Sequence, residues 1–211
     1  TISNVKGIKQ DLLDVIVNQR IAICSDDNDL ANAIEIIATK KCKIPPEALD
    51  FARLGLDYLI GELRMTELSL RIICAIVKSE STLPIDLSNS IDNVLLFYGD
   101  NQKIIAICLD IIHSMGVCSL PLLLRTFPNI DEQTLFKAIK VAFEIASSNQ
   151  SLVRQLDQAE FIDLLKGLIN RRVKGYALLI QLLGMIALAY RTIEEALASN
   201  KYTISSVLLR S

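Results

Sequence analysis

The sequence predicts an all-α chain, and three observations carry that prediction. Apolar residues recur at three- and four-residue steps through almost every stretch, in a background of Leu, Ile, Ala, Lys and Glu that favours helix. Alternation of period two, the mark of a half-buried strand, is absent over any useful length. Polar breakers fall between the periodic runs: CSDDND at 24–29, KIPPE at 43–47, STLPID at 81–86, YGDNQ at 98–102, FPNID at 127–131, SSNQS at 147–151 and INRRVKG at 169–175. Asp, Asn and Ser in such places are natural N-caps, because their side chains accept bonds from the free amides of a helix start.

The elements follow in chain order. SDDND at 25–29 precedes LANAIEIIA and reads as its capping stretch. It also opens like a calcium loop, but it lacks the glycine at the sixth position and the glutamate at the twelfth that such a loop requires. Pro46 stands where a first helical turn tolerates proline, as does Pro121 further on. SLRIICAIV at 69–77 is helical, and IDNVLLFYGDNQKIIAICLDIIHSMG at 91–116 reads as two helices parted at YGDNQ. Asp131–Glu132 and Glu194–Glu195 place negative charge at helix starts, where the helix dipole favours it. Residues 149–190 read as a short helix, a small-residue turn at Ala159, a second helix EFIDLLKGLI and a long third helix. The whole amounts to about ten helices of ordinary length joined by short loops. The longest apolar run, YALLIQLLGMIALAY at 176–190, contains Gln181 and has 15 residues. A membrane span needs about 20, so none is predicted.

Composition narrows the function classes. With 211 residues, 51% of them hydrophobic, the chain can bury one continuous core, as one domain over 1–211 or one compact array of repeats. A net charge of −2 provides no global field to draw nucleic acid. Cys24, Cys42, Cys74, Cys108 and Cys118 are odd in number and unevenly spaced, so they read as free, apolar thiols of an intracellular protein. No signal peptide pattern stands at residue 1. The opening TISNVKG and the closing KYTISSVLLRS read as cut from a longer protein.

Four segments align without gaps: SLRIICAIV (69–77), CLDIIHSMG (108–116), AIKVAFEIA (138–146) and LIQLLGMIA (179–187). Their starts lie 39, 30 and 41 residues apart. Positions two, five and eight are apolar, Ala142 being the one small member, and share a helix face. Position three is polar every time: Arg71, Asp110, Lys140 and Gln181. This pattern resembles the third helix of armadillo repeats, with HEAT repeats as the close relative. The resemblance covers most of 50–199 and fades towards the N-terminus; its best local match is 149–190.

That resemblance implies a right-handed α-solenoid of about five units, each burying its apolar face against the next. It implies a concave groove lined by the third helices, in which a peptide or helix of a partner protein lies. Nuclear-import armadillo proteins carry Trp at position three and Asn at position seven of this helix. Here position seven is Ala75, Ser114, Glu144 and Met185, and the chain has no Trp, so the import-receptor mode is not expected. The candidate groove is Arg71, Asp110, Ser114, Lys140, Glu144, Gln181 and Met185, a mixed-charge face that is equally readable as a solvated one.

A catalytic or metal reading finds little to stand on. His113 is the sole histidine, between Cys108 and Cys118 at spacings of five. Residues five apart diverge by about 140° around a helix, and structural zinc wants four converging ligands. His113 reads instead as a partly buried helix residue flanked by apolar positions. No paired carboxylates in an apolar setting, Gly-rich phosphate loop or Gly-x-Ser-x-Gly occurs. The expectation is a non-catalytic scaffold, without cofactor or metal, that binds another protein; the apolar fraction also fits a homodimer. The alternative is a nucleic-acid-binding array using KKCK at 40–43 and RRVK at 171–174, clusters equally at home at helix C-termini.

Overall fold

A computed structural model of the chain describes residues 27–39, 44–79, 87–116, 118–156 and 159–189. The expectations for Cys24, KKCK at 40–43 with Cys42, STLPID, Glu194–Glu195 and the closing TISSVLLRS fall outside these residues. All regular structure among the described residues is helical, with no strand. Among them no helix is long and apolar enough to cross a membrane. Packing divides the chain into two compact units, Thr1–Cys118 and Ser119–Ser211.

The first unit contains α1 (Asp27–Ala38), α2 (Ala48–Tyr58), α3 (Leu63–Ser79), α4 (Ser88–Phe97) and α5 (Gln102–Met115). Helix α3 is its centre and packs on α1, α2 and α5; α2 packs in turn on α4, and α4 on α5. The apolar stripe of α3 explains this position: Leu70, Ile72, Ile73 and Ile76 are fully buried. Small residues let the helices close up. A Cβ at Gly55 of α2 would overlap both Ser69 Oγ of α3 and Ile34 Cδ1 of α1. Pro46 lies two residues ahead of α2, not inside its first turn; the amides of Ala48 and Leu49 donate to the Pro45 and Pro46 carbonyls instead.

The turns of this unit are tied by polar bonds. The Ile60 carbonyl, between α2 and α3, accepts the Tyr98 hydroxyl at 2.6 Å and the Thr66 hydroxyl at 3.2 Å. Asn101 caps α5 by accepting from the Ile104 amide at 3.2 Å, as the break at YGDNQ predicts. Gly116 ends α5 at φ 69°, its amide bonded to the Ile112 carbonyl at 2.7 Å, in the left-handed conformation that glycine adopts at low cost. Cys108 and Cys118 are buried and unbridged. Loss of hydration raises both thiols, that of Cys118 to about 12, so they stay neutral and act as small hydrophobes.

The second unit contains α6 (Leu120–Thr126), a 3₁₀ turn (Phe127–Asn129), α7 (Glu132–Ser148), α8 (Gln150–Val153), a second 3₁₀ turn (Arg154–Leu156), α9 (Ala159–Asn170) and α10, helical over 176–189. Pro121 does sit in the first turn of α6. Asp131 caps α7 through the Thr134 amide at 2.9 Å, and this bond holds its carboxyl below the usual range. Asn149 caps α8 through the Ser151 amide at 3.1 Å. Ala159, expected as a turn, is the first residue of α9. Helix α6 packs on α7 and on the Arg154–Leu156 turn, and Arg125 reaches Glu160 of α9 at 3.2 Å. Phe127 and Phe161 fill the core.

Candidate functional site

The four aligned segments fall on α3, α5, α7 and α10. In the first three the expected apolar face is inside. Leu70, Ile73, Ile76, Leu109, Ile112, Ile139, Ala142 and Ile145 are buried, and Met115 is half-buried. In α10 the buried face is rotated. Leu179, Leu182 and Ile186 are buried, while Ile180 is 50% exposed and Leu183 is half-buried. The aligned register is therefore off in this helix: its sequence is apolar on several faces, and periodicity alone does not choose among them.

In the first unit the structure brings Arg71, Asp110 and Ser114 to one side of the adjacent helices α3 and α5. Arg71 and Ser114 are exposed and Asp110 is half-buried. The charges are mixed, as expected, but they pair with one another. Glu67 of α3 takes Arg71 one turn along its own helix and Lys103 of α5 at 2.7 Å. Lys78 of α3 meets Asp110 of α5 at 3.3 Å. That bond holds the Lys78 ammonium above its ordinary pKa. Ser114 donates to the Asp110 carbonyl at 3.0 Å. Exposed pairs of this kind contribute about 0–1 kcal/mol each, so their main effect is to fix how α3 sits against α5. Glu67, Lys78 and Lys103 were not singled out in the sequence. Glu67 and Lys78 lie four before and seven after Arg71, on the same helical stripe, and that spacing was the available signal.

In the second unit Lys140 and Glu144 are exposed one turn apart on α7, and Gln181 and Met185 stand one turn apart on α10, Met185 half-buried. Lys140 lies over the Phe136 ring at 5.2 Å, and Lys174 lies over the same ring at 4.7 Å. Among the described residues, no carboxylate pairs with Lys140, Lys174, Arg171 or Arg172. The loop that carries three of these cations is shaped by the end of α9. The Val173 amide bonds to the Leu168 carbonyl and the Arg172 amide to the Ile169 carbonyl, the two bonds of a Schellman cap. Such a cap needs a left-handed residue at Arg172, and its φ is 51°. Gly175 follows at φ 92°, so close to Phe136 that a Cβ there would lie 2.9 Å from the ring.

A side chain in the left-handed region costs on the order of 1 kcal/mol. Arg172→Gly is therefore expected to raise stability by about 0.5–1 kcal/mol, read as a later urea midpoint, the remainder being lost to glycine's freedom when unfolded. An unchanged or earlier midpoint would mean that the guanidinium makes up for the strain.

His113 is exposed rather than partly buried. It lies in the last turn of α5. Cys108 is buried on the opposite side of that helix, so the two do not converge. Elsewhere in the first unit, a shallow groove of about 450 Å³ runs between α2 and α4, lined by Leu56, Asp57, Ile60, Asn93, Leu96 and Phe97. Nothing in the repeat pattern pointed to it, because Leu96 and Phe97 lie outside the four aligned segments.

Comparison with protein-family models, curated proteins and solved structures finds no match for the chain.

Proposed function

We propose that the chain is a non-catalytic protein-binding scaffold, an armadillo/HEAT-type right-handed α-solenoid whose aligned helices offer a face to a peptide or helix of a partner. One observation carries the reading. In the first unit the hairpin α2–α3 stacks on the hairpin α4–α5, with α2 against α4 and α3 against α5, which is the packing that nearest-neighbour repeats use. The polar residues at position three of the aligned helices lie at the surface, three of them exposed and Asp110 half-buried. The free thiols of Cys74, Cys108 and Cys118 support an intracellular setting.

The test is a displayed library of short peptides panned against the chain. Peptides that bind are expected to lose at least tenfold affinity for Ser114→Trp, which fills the α3/α5 face, and to be indifferent to Asp163→Trp on α9. Arg71 is a poor choice for this test, since its reversal also breaks the Glu67 pair. A library that yields no binder, or binders indifferent to Ser114→Trp, rejects the reading.

A nucleic-acid-binding array is the second reading, and the cations of the second unit favour it, because Arg171, Arg172 and Lys174 cluster in one loop and Lys174 shares the Phe136 ring with Lys140. Phosphate contacts give a steep fall of affinity with salt, a slope near −0.7 per contact for single strands. A labelled oligonucleotide whose binding falls in this way, and is lost in Lys140→Glu with Lys174→Glu, would establish it.

A further inference from the structure

The α2/α4 groove is the largest anomaly on the surface of the first unit. Leu96 and Phe97 are exposed by 67% and 59%, although both are large and apolar. They line the groove together with Leu56 of α2 and Ile60 of the turn after it, and Asp57 and Asn93 make the rest of the lining polar. Asn93, Leu96 and Phe97 stand at i, i+3 and i+4 of α4, while Leu56 and Asp57 lie in the last turn of α2 and Ile60 in the turn that follows it. The α4 face beside the end of α2 leaves a channel that a third helix fits, its own i, i+3 and i+4 side chains lying along Leu96 and Phe97.

Charge identifies the occupant. Asp57 is the one ionisable residue of the lining. It accepts the Ser90 hydroxyl at 3.1 Å, and among the described residues no cation pairs with it. Glu62 and Asp100 are exposed just beyond the turns that follow the lining residues Ile60 and Phe97. The turns are held together by the Tyr98 bond to the Ile60 carbonyl, so both carboxylates sit at the same end as that bond. A channel that is half apolar and half polar, with a carboxylate in its lining and two more at its margin, favours an amphipathic segment that carries Lys or Arg. A second copy of the chain fits poorly. A two-fold contact here would bring acidic margins together, and a lining of six residues is far below the about 20–30 per partner of a stable interface.

We propose that the α2/α4 groove docks a basic amphipathic helix of a partner protein, its apolar side chains seated against Leu96 and Phe97 and a Lys or Arg facing Asp57. This surface lies on the α2/α4 rank and does not depend on the α3/α5 face, so either reading can fail alone.

The probe is a labelled amphipathic peptide of Leu and Lys, about four turns long, titrated into the full chain by fluorescence anisotropy. Controls are the same composition scrambled so that it has no apolar face, and the amphipathic version with Glu in place of Lys. Both controls are expected to bind at least tenfold more weakly. Leu96→Ser with Phe97→Ser should lose at least tenfold for the Leu/Lys peptide, and Asp57→Asn about threefold or more, the smaller loss expected of a single exposed charge. Both sites are on the surface, so unchanged melting curves are expected, and Asp57→Asn keeps an acceptor for Ser90. Equal binding of the scrambled or Glu peptide overturns the proposal. So does undiminished binding by the serine double variant. Self-association of the wild-type chain in sedimentation that is abolished by Phe97→Ser also overturns it, in favour of a second copy.

Discussion

Gly55→Leu is expected to destabilise the first unit by about 3 kcal/mol or more, seen as a much earlier urea midpoint. The reason is geometric. Helices α1, α2 and α3 meet where Gly55 faces Ser69 and Ile34, and even one added carbon overlaps both. Ser69 and Ile34 are fully buried, so neither side chain has free space to turn into. Forcing extra carbons into a packed core costs about 1–3 kcal/mol and sometimes more. Four carbons at a three-helix crossing belong at the upper end, against a domain stability of about 5–15 kcal/mol. The alanine variant separates two opposed effects. Gly55→Ala gains about 1 kcal/mol of helix propensity while meeting the same two atoms, so its net loss is expected to be about 1 kcal/mol. Ser69 also carries a buried hydroxyl oxygen with no hydrogen-bond partner among the described residues. Ser69→Ala removes both that cost and part of the overlap. Added to Gly55→Ala, it is expected to restore stability beyond the sum of the two single changes. Strict additivity, or a tolerated leucine, would show that the crossing is looser than described.

Ile112→Asp is expected to be comparably severe. Ile112 is wholly buried on the face of α5 that carries Leu109, and α3 packs on this helix. A carboxylate there has no cation within the core, and an unpaired buried charge costs several kcal/mol. The corresponding change in α10 is informative because the buried face turned out to be rotated. Leu182→Asp should destabilise strongly, whereas Leu183→Asp, at a half-buried site, should cost less by about 1–2 kcal/mol. Far-UV circular dichroism melts of the three variants check the order. If Leu183→Asp proves worse than Leu182→Asp, the aligned register was right and the described face of α10 is wrong.

Helices were legible where apolar spacing and capping chemistry agree. Asn101 and Asp131 each stand at a polar break ahead of an apolar run, and each caps a helix, because a short oxygen-bearing side chain is the local solution for unbonded amides. Pro121 is legible for the same local reason. Pro46 misled because Pro45–Pro46 supplies carbonyls to the turn before the helix, and the rule for a first-turn proline does not distinguish the two placements. The face of α10 was illegible because Leu and Ile occupy most of its positions, so burial is decided by neighbours. His113 was placed half inside from flanking apolar residues, but it falls on the outer face of α5 while its neighbours Ile111 and Ile112 are wholly buried. Of the candidate residues, Arg71 and Asp110 were found at the surface. Their cross-helix pairing depends on how α3 lies against α5, which spacing along a single helix does not encode. Leu96 and Phe97 illustrate the converse, since hydrophobicity announces burial and gives no sign of a side chain left outside.

The Ile60 carbonyl gives the first unit a mechanical asymmetry. By accepting from both Thr66 and Tyr98 it clasps two successive hairpin turns at one edge, while toward the far end of α3 the tie to the next hairpin is the exposed Lys78–Asp110 pair at 3.3 Å, which contributes only about 0–1 kcal/mol. Flexing of these hairpins is then a fanning motion, like pages opening about a bound spine. Tyr98→Phe, by cutting the binding, would let the pages slide as well as spread.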